Sequence, residues 1–248
     1  MDRTTKRALW IVAGVVVFIA LLLHHNINSD EVIFFVVVVP SVILHEISHG
    51  WVARAFGDDT AARAGRLTLN PLVHVDPVGT LIVPAVMALA GVGVFGWAKP
   101  VPVNTVRLRS PRNQGVLVSL AGPLTNLILA LIGAFLFVAV FRDTFNPYNP
   151  SVLSRVVLFF SVANIGLMAF NLIPIPPLDG SVVFERALPA RYWPGYLRIR
   201  PYTGLIVVGL VVLNFYLSGN GHVGPLTWLI YHLYNWWLGL LHAGIRFG

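Results

Sequence analysis

The chain contains no cysteine, so it can form neither a disulfide nor a thiolate metal site, and any bound metal must be held by nitrogen and oxygen. Charge is scarce as well: 11% of the 248 residues are Asp, Glu, Lys or Arg, and only 10 are acidic. With 56% hydrophobic residues and a mean hydropathy of +0.77, the chain has too little polar surface to cover a water-soluble fold. It has no long low-complexity tract and no evident repeat. Its net charge of +7 is scattered through the connections between apolar runs. No basic stripe with interleaved aromatics is present, which argues against nucleic acid as a partner and for membrane topology as the cause of the charge.

What the chain does have is a series of apolar runs near the roughly 20 residues that cross a bilayer. Six read as spans: 8–23, 32–56, 116–141, 152–173, 203–217 and 226–243. The first run ends in His24, His25 and Asn26 with no small-residue cleavage site, so it reads as a retained span. A seventh run, 80–97, is interrupted by Pro84, Gly91, Gly93 and Gly96 and suits a re-entrant segment between the second and third spans. With a cytoplasmic N-terminus and 80–97 dipping in and returning, every Lys and Arg except Arg142 and Arg155 falls on the cytoplasmic side, and the C-terminus is cytoplasmic too. The expected fold is an all-α polytopic membrane protein of about six transmembrane helices plus the re-entrant segment. It forms one domain over 1–248, with a motif-bearing core at about 32–180 and additional C-terminal spans in 203–243. The stretch 98–111, with three prolines, reads as an extended surface loop.

Within the second span, VILHEISHGWVARAFG carries His-Glu-x-x-His at 45–49. Positions four apart share one helical face, so the imidazoles of His45 and His49 can converge on one metal ion while Glu46 handles a proton. Two imidazoles and a carboxylate inside an apolar span are costly unless something pairs with them. A catalytic zinc site usually takes three protein ligands. Setting aside the acidic residues in loops and at span ends, Asp76, Asp179 and Glu185 are the candidates for the third. Counted from residue 32 at about 1.5 Å per residue, His45 and His49 lie roughly 20 to 26 Å below the outer face of a core about 30 Å thick. The fourth span reaches that level near Asn171, just before NLIPIPPLDG, so Asp179 can arrive there; Asp76 and Glu185 stay open on physical grounds.

Three motifs, HEISHG (45–50), LNPLVHVDPVGT (69–80) and NLIPIPPLDG (171–180), together with FGWAKPVPVN (95–104) and AGPLTN (121–126), resemble the site-2 protease family of intramembrane zinc metalloproteases. The resemblance is to its short bacterial form without PDZ or cystathionine-synthase-type modules. It implies one catalytic zinc ion held by His45, His49 and Asp179, with Glu46 activating water. The implied function is cleavage of transmembrane protein substrates in the bilayer of a bacterial cytoplasmic membrane, as in regulated intramembrane proteolysis.

Four further residues are candidates for supporting the site or the substrate: Asn126, Asn171, His74 and Asp76. Asn126 either bonds neighbouring helices or steadies substrate, Asn171 orders the backbone ahead of Asp179, and His74 and Asp76 orient ligands or pin the re-entrant segment. Gly122 and Pro123 read as close-packing and kink positions. The extended stretch 66–103 is a candidate edge for strand addition by an unwound substrate. A membrane zinc-binding protein or transporter without proteolytic activity is the rival reading, but it needs a ladder of further ligands through the bilayer that the spans do not supply. The sequence leaves substrate identity and oligomeric state open.

Overall fold

The computed structural model describes residues 29–83, 87, 96–141, 144, 146 and 148–246. The expected span at 8–23 and most of the 80–97 stretch lie outside these residues. Among the described residues the secondary structure is helical, with no strand. The main helices, numbered in chain order, are α1 (Ser29–Ala55), the short α2 (Thr60–Arg63), α3 (Pro111–Phe141), α4 (Val152–Asn171), α5 (Gly180–Ala187), α6 (Trp193–Ile199), α7 (Thr203–Gly219) and α8 (Pro225–Arg246).

Four helical stretches are long and apolar enough to cross a membrane: Val32–Ala55, Pro111–Phe141, Val152–Asn171 and Ala190–Gly219. They coincide with four of the expected spans. α3 begins several residues earlier than the apolar run, because Pro111 suits a first helical position and Arg112 and Gln114 are good helix formers. The last expected span corresponds to α8. That helix is long enough, but His232, Asn235 and His242 break its apolar run, and it falls outside the four.

α1, α3 and α4 pack against one another as a three-helix core, and α8 leans on α4 and α3. Small residues let the helices approach closely: Ala130 and Ala134 of α3 meet Ile165 of α4 and Trp237 of α8. Ile33 and Val37 of α1 pack on Ala163 of α4. The other faces of these helices present Phe34, Val36, Leu124, Ile128 and Phe135 outward, as lipid-facing surface requires. Trp237 donates its indole N–H to Ser161 Oγ at 3.0 Å, so this member of the aromatic cluster is a packing residue, whereas Trp228, Tyr231 and Trp236 are exposed.

At the lower end of α1 the chain turns at Gly57 (φ +109°) into the buried carboxylate of Asp58. Asp58 accepts from the N–H and hydroxyl of Thr60 and, at 2.6 Å, from the backbone N–H of Asn104. Burial pushes its carboxyl up, but these donors and the nearby Arg107 outweigh that and hold it below the usual carboxylate range. Asp58 thereby ties the end of α1 to the 98–104 stretch, which runs extended beside the lower half of α1.

Candidate metal centre

His45 and His49 stand one turn apart on α1 and project to the same side, towards α3. Each has its Nδ1 committed elsewhere. His45 Nδ1 lies 2.6 Å from Asn126 Oδ1 on α3, and His49 Nδ1 lies 2.7 Å from the carbonyl oxygen of Val118, also on α3. A carbonyl oxygen only accepts, so His49 carries its proton on Nδ1 and its lone pair on Nε2. The same assignment for His45 places the two Nε2 atoms 3.1 Å apart with lone pairs facing one another.

The third group arrives from the turn that follows α4. Asn171 ends that helix, and the Pro-rich NLIPIPPLDG folds into tight turns through Ile175 N to Ile173 O and Leu178 N to Ile175 O. Gly180 is required here: a Cβ at this position would run into the backbone of Leu172 and Ile173. Ser119 of α3 donates its hydroxyl to the Asp179 carbonyl at 2.7 Å and fixes that residue's backbone. Asp179 stands at the N-cap of α5, where a carboxylate ordinarily accepts from first-turn N–H groups, yet its side chain makes no such bond. Its Oδ2 sits 3.1 Å from His45 Nε2 and 3.4 Å from His49 Nε2. This oxygen is buried and accepts no hydrogen bond.

With both rings in the Nδ1–H tautomer, these three atoms form a set of lone-pair donors. Left alone, they would repel in a low-dielectric interior, and a cation relieves all three at once. Two imidazole nitrogens and a carboxylate oxygen match the ligand types of a catalytic zinc site with an open position. Among the described residues, this is the one group of three His, Asp or Glu side chains close enough to hold a metal ion. Gly122 of α3 faces the pair, and a Cβ there would overlap both imidazoles.

Glu46 lies beside the pair and lines the same cavity, of about 280 Å³, whose walls include His45, His49, Pro100, Val101, Ser119, Asn171 and Asp179. Its Oε2 accepts from the backbone N–H of Val101 at 2.8 Å. That N–H is held in place by Arg66, a buried cation that donates to the carbonyls of Val73 at 2.5 Å and Lys99 at 2.7 Å. The strap 98–104 thus crosses next to the carboxylate that the helix presents.

Of the supporting candidates, Asn126 touches the site directly through His45, and Asn171 lines the cavity while its amide donates to Leu167 O within α4. His74 and Asp76 stand apart from the three donors. His74 Nε2 bonds Thr68 O, and the His74 carbonyl accepts from Lys99 N. Asp76 accepts from the N–H groups of Val78 and Gly79. Both bond the backbone at 68–80 and 99, next to the ends of the 80–97 stretch. Glu185 is engaged with Tyr196 and Arg200. Ser119, Arg66, Asn164 and Ser41 were not singled out by the sequence, because a lone hydroxyl, amide or loop arginine carries no pattern of its own.

An all-helical membrane bundle that converges two imidazoles and a carboxylate, next to a further carboxylate in one cavity, belongs to the class of membrane zinc metallopeptidases. Comparison with known proteins narrows this. The model of peptidase family M50 matches residues 33–149. YwhC of Bacillus subtilis, a candidate zinc metalloprotease, is 45% identical over 159 residues, covering 61% of this chain and 67% of its own. Rip2 of Mycobacterium tuberculosis, likewise a candidate zinc metalloprotease, is 36% identical over 196 residues, 73% of this chain and 72% of its own. A more distant relative, the zinc metalloprotease MJ0392 of Methanocaldococcus jannaschii, is 26% identical over 64% of this chain. No solved structure matches significantly. The chain belongs to peptidase family M50, and it is an integral membrane zinc metalloprotease.

The space argument at Gly122 yields a test. Gly122→Ala displaces both imidazoles, so zinc bound per molecule in detergent is expected to fall below a tenth of the wild-type value, on the order of the tenfold or greater losses that follow disturbed ligand orientation. Gly166→Ala, at a position with open space around its Cβ, is expected to keep its zinc; equal zinc in both variants would contradict the geometry.

Proposed function

We propose that this protein cleaves peptide bonds of membrane-spanning protein substrates, with His45, His49 and Asp179 holding one zinc ion and Glu46 acting as the general base and acid. The observation that carries this reading is the convergence of two imidazole nitrogens and a carboxylate oxygen from α1 and the 179 turn. Zinc in such a site supplies Lewis acidity, which acidifies water and polarises a carbonyl. Glu46 removes a proton from the attacking water as it adds to the peptide carbonyl carbon, and returns that proton to the departing amide nitrogen as the C–N bond breaks. The Val101 N–H donates to Glu46 Oε2 and holds that carboxylate at the cavity wall. Asn126 orients His45, and Asn171 borders the space where the scissile bond lies. A transporter would require further ligand groups along the spans, and the described residues offer no second cluster of this kind.

The topology that fits is six spans in one domain, with both termini on the cytoplasmic face of a bacterial membrane and 80–97 re-entrant. Support comes from the ends of that stretch, which meet. Trp97 N donates to Gly79 O at 3.1 Å, Thr80 Oγ1 donates to Trp97 O at 2.9 Å, and Lys99 N donates to His74 O at 2.8 Å. A segment that crossed the bilayer once would leave its ends roughly 30 Å apart. The strap between Lys99 and Asn104 lies against the cavity and is the natural place for an unwound substrate to lie, although Val101 already spends its N–H on Glu46.

Two tests follow. Glu46→Gln is expected to retain zinc while cleavage of a transmembrane substrate in detergent drops by roughly 10² to 10⁴, the usual contribution of a general base, whereas Asp179→Asn loses zinc as well. Undiminished cleavage by Glu46→Gln removes that residue from the mechanism. For the topology, the absence of cysteine makes single-cysteine labelling clean: Arg63→Cys and Lys99→Cys are expected to react from the same side of the membrane, and labelling from opposite sides refutes the re-entrant arrangement.

A further inference from the structure

Behind His45, away from the cavity, a line of polar side chains runs through the otherwise apolar contact of α1, α3 and α4. Asn126, Asn164 and Ser41 are each 0% exposed, so no water reaches them and every polar atom must find its partner within the protein. They are bonded in series. Asn126 Oδ1 faces His45 Nδ1 at 2.6 Å, and Asn126 Nδ2 donates to Asn164 Oδ1 at 2.8 Å. Asn164 Nδ2 donates to Ser41 Oγ at 2.9 Å and to the Phe160 carbonyl at 2.8 Å. Ser41 Oγ donates to the Val37 carbonyl at 2.7 Å.

The direction of this series is not free. Backbone carbonyls only accept, so Phe160 O forces Asn164 to present its NH₂ group on that side. Val37 O takes the Ser41 proton, which leaves the Ser41 oxygen to accept from the same NH₂. Asn164 must then present Oδ1 to Asn126, Asn126 must donate its NH₂ to it, and the Asn126 carbonyl is left facing His45. The His45 ring has one way to satisfy that oxygen, namely a proton on Nδ1. Reversing any amide would set oxygen against oxygen in a dry interior, at a cost of a few kcal/mol per unpaired group.

We infer that Asn164 and Ser41 are positioning residues for the metal centre: two backbone carbonyls on α4 and α1, read through Ser41, Asn164 and Asn126, set the tautomer of His45 and so aim its Nε2 lone pair at Asp179 and His49. The chain of bonds makes His45 a ligand before any ion arrives, and it does so through residues with no contact to ion or substrate. A polar cluster that only tied helices together would have no need to end on a ligand's far nitrogen. Ser161, in the same interface, does tie helices in this plain way: it donates to Ala130 O and accepts from Trp237 without reaching the site.

The inference rests on His45 as a metal ligand, and the test separates the two. The first readout is ¹⁵N NMR of the histidine side chains in the metal-free, full-length protein in detergent, with His45 identified by its loss in His45→Asn. The expected result is a proton on Nδ1 in the wild type and a mixture of tautomers in Asn164→Leu. The second readout is zinc affinity by competition with a chromophoric chelator. Asn164→Leu is expected to weaken zinc about 10- to 100-fold, the range for lost orienting partners. Ser41→Ala is expected to weaken it less, because Phe160 O still orients Asn164, and Ser161→Ala should leave it at the wild-type value. Wild-type His45 protonated on Nε2 overturns the inference even if the Asn164 variant does not fold. So does Asn164→Leu binding zinc as tightly as the wild type, or Ser161→Ala weakening zinc as much as Asn164→Leu. A wild type that shows the Nδ1 proton but binds no zinc refutes instead the assignment of His45 as a ligand.

Discussion

Three atoms that each carry a lone pair, and no proton, are held together inside a membrane bundle, and much of the structure is explained by what is needed to keep them so. His45 Nε2, His49 Nε2 and Asp179 Oδ2 lie between 3.1 and 3.4 Å of one another. In water such a group would protonate or separate; here both ring protons are drawn to the opposite nitrogens by Asn126 and Val118 O, and the carboxylate is denied the N-cap bonds its position would normally offer. The electrostatic cost is then met by one cation, and the glycines at 122 and 180 and the hydroxyl of Ser119 each bear on where these atoms sit.

The same constraint organises the helices. α1 supplies two donors and the neighbouring Glu46 carboxylate, α3 supplies the acceptors that orient both rings, and α4 ends where the Asp179 turn must begin. The three helices that pack most closely are therefore the three whose relative position decides the site. α7 and α8 contribute little to it, and α8 is correspondingly freer to carry His232, set edge-on against Trp228 at 4.4 Å between ring centroids, and other residues too polar for a uniform apolar span.

Much of this was legible in the residues. His-Glu-x-x-His in an apolar run placed the two imidazoles side by side, because the 3.6-residue period leaves little choice about which side chains share a face. For four of the six expected spans the positions followed from length and hydropathy, with α3 beginning several residues before its apolar run. Asp179 was within reach by depth alone, and depth left Asp76 and Glu185 open; among the described residues it is Asp179 that joins the two imidazoles, while Asp76 accepts from the N–H groups of Val78 and Gly79 and Glu185 engages Tyr196 and Arg200. Asn164, Ser41 and Arg66 were illegible for a different reason. A single polar residue in an apolar span looks the same whether it bonds its own helix, as Asn171 does with Leu167, or reaches across two helices to a ligand. Only packing tells these apart.

The claim on which the account depends is that zinc is bound by two imidazoles of α1 and one carboxylate, and X-ray absorption at the zinc edge of the purified full-length protein tests it most directly. The account requires one zinc per chain, with imidazole scattering from two histidines at about 2.0 to 2.1 Å and an oxygen shell at a similar distance, and the loss of one imidazole or of the ion itself in His49→Ala. A zinc shell of oxygen alone, or one unchanged by His49→Ala, would contradict it.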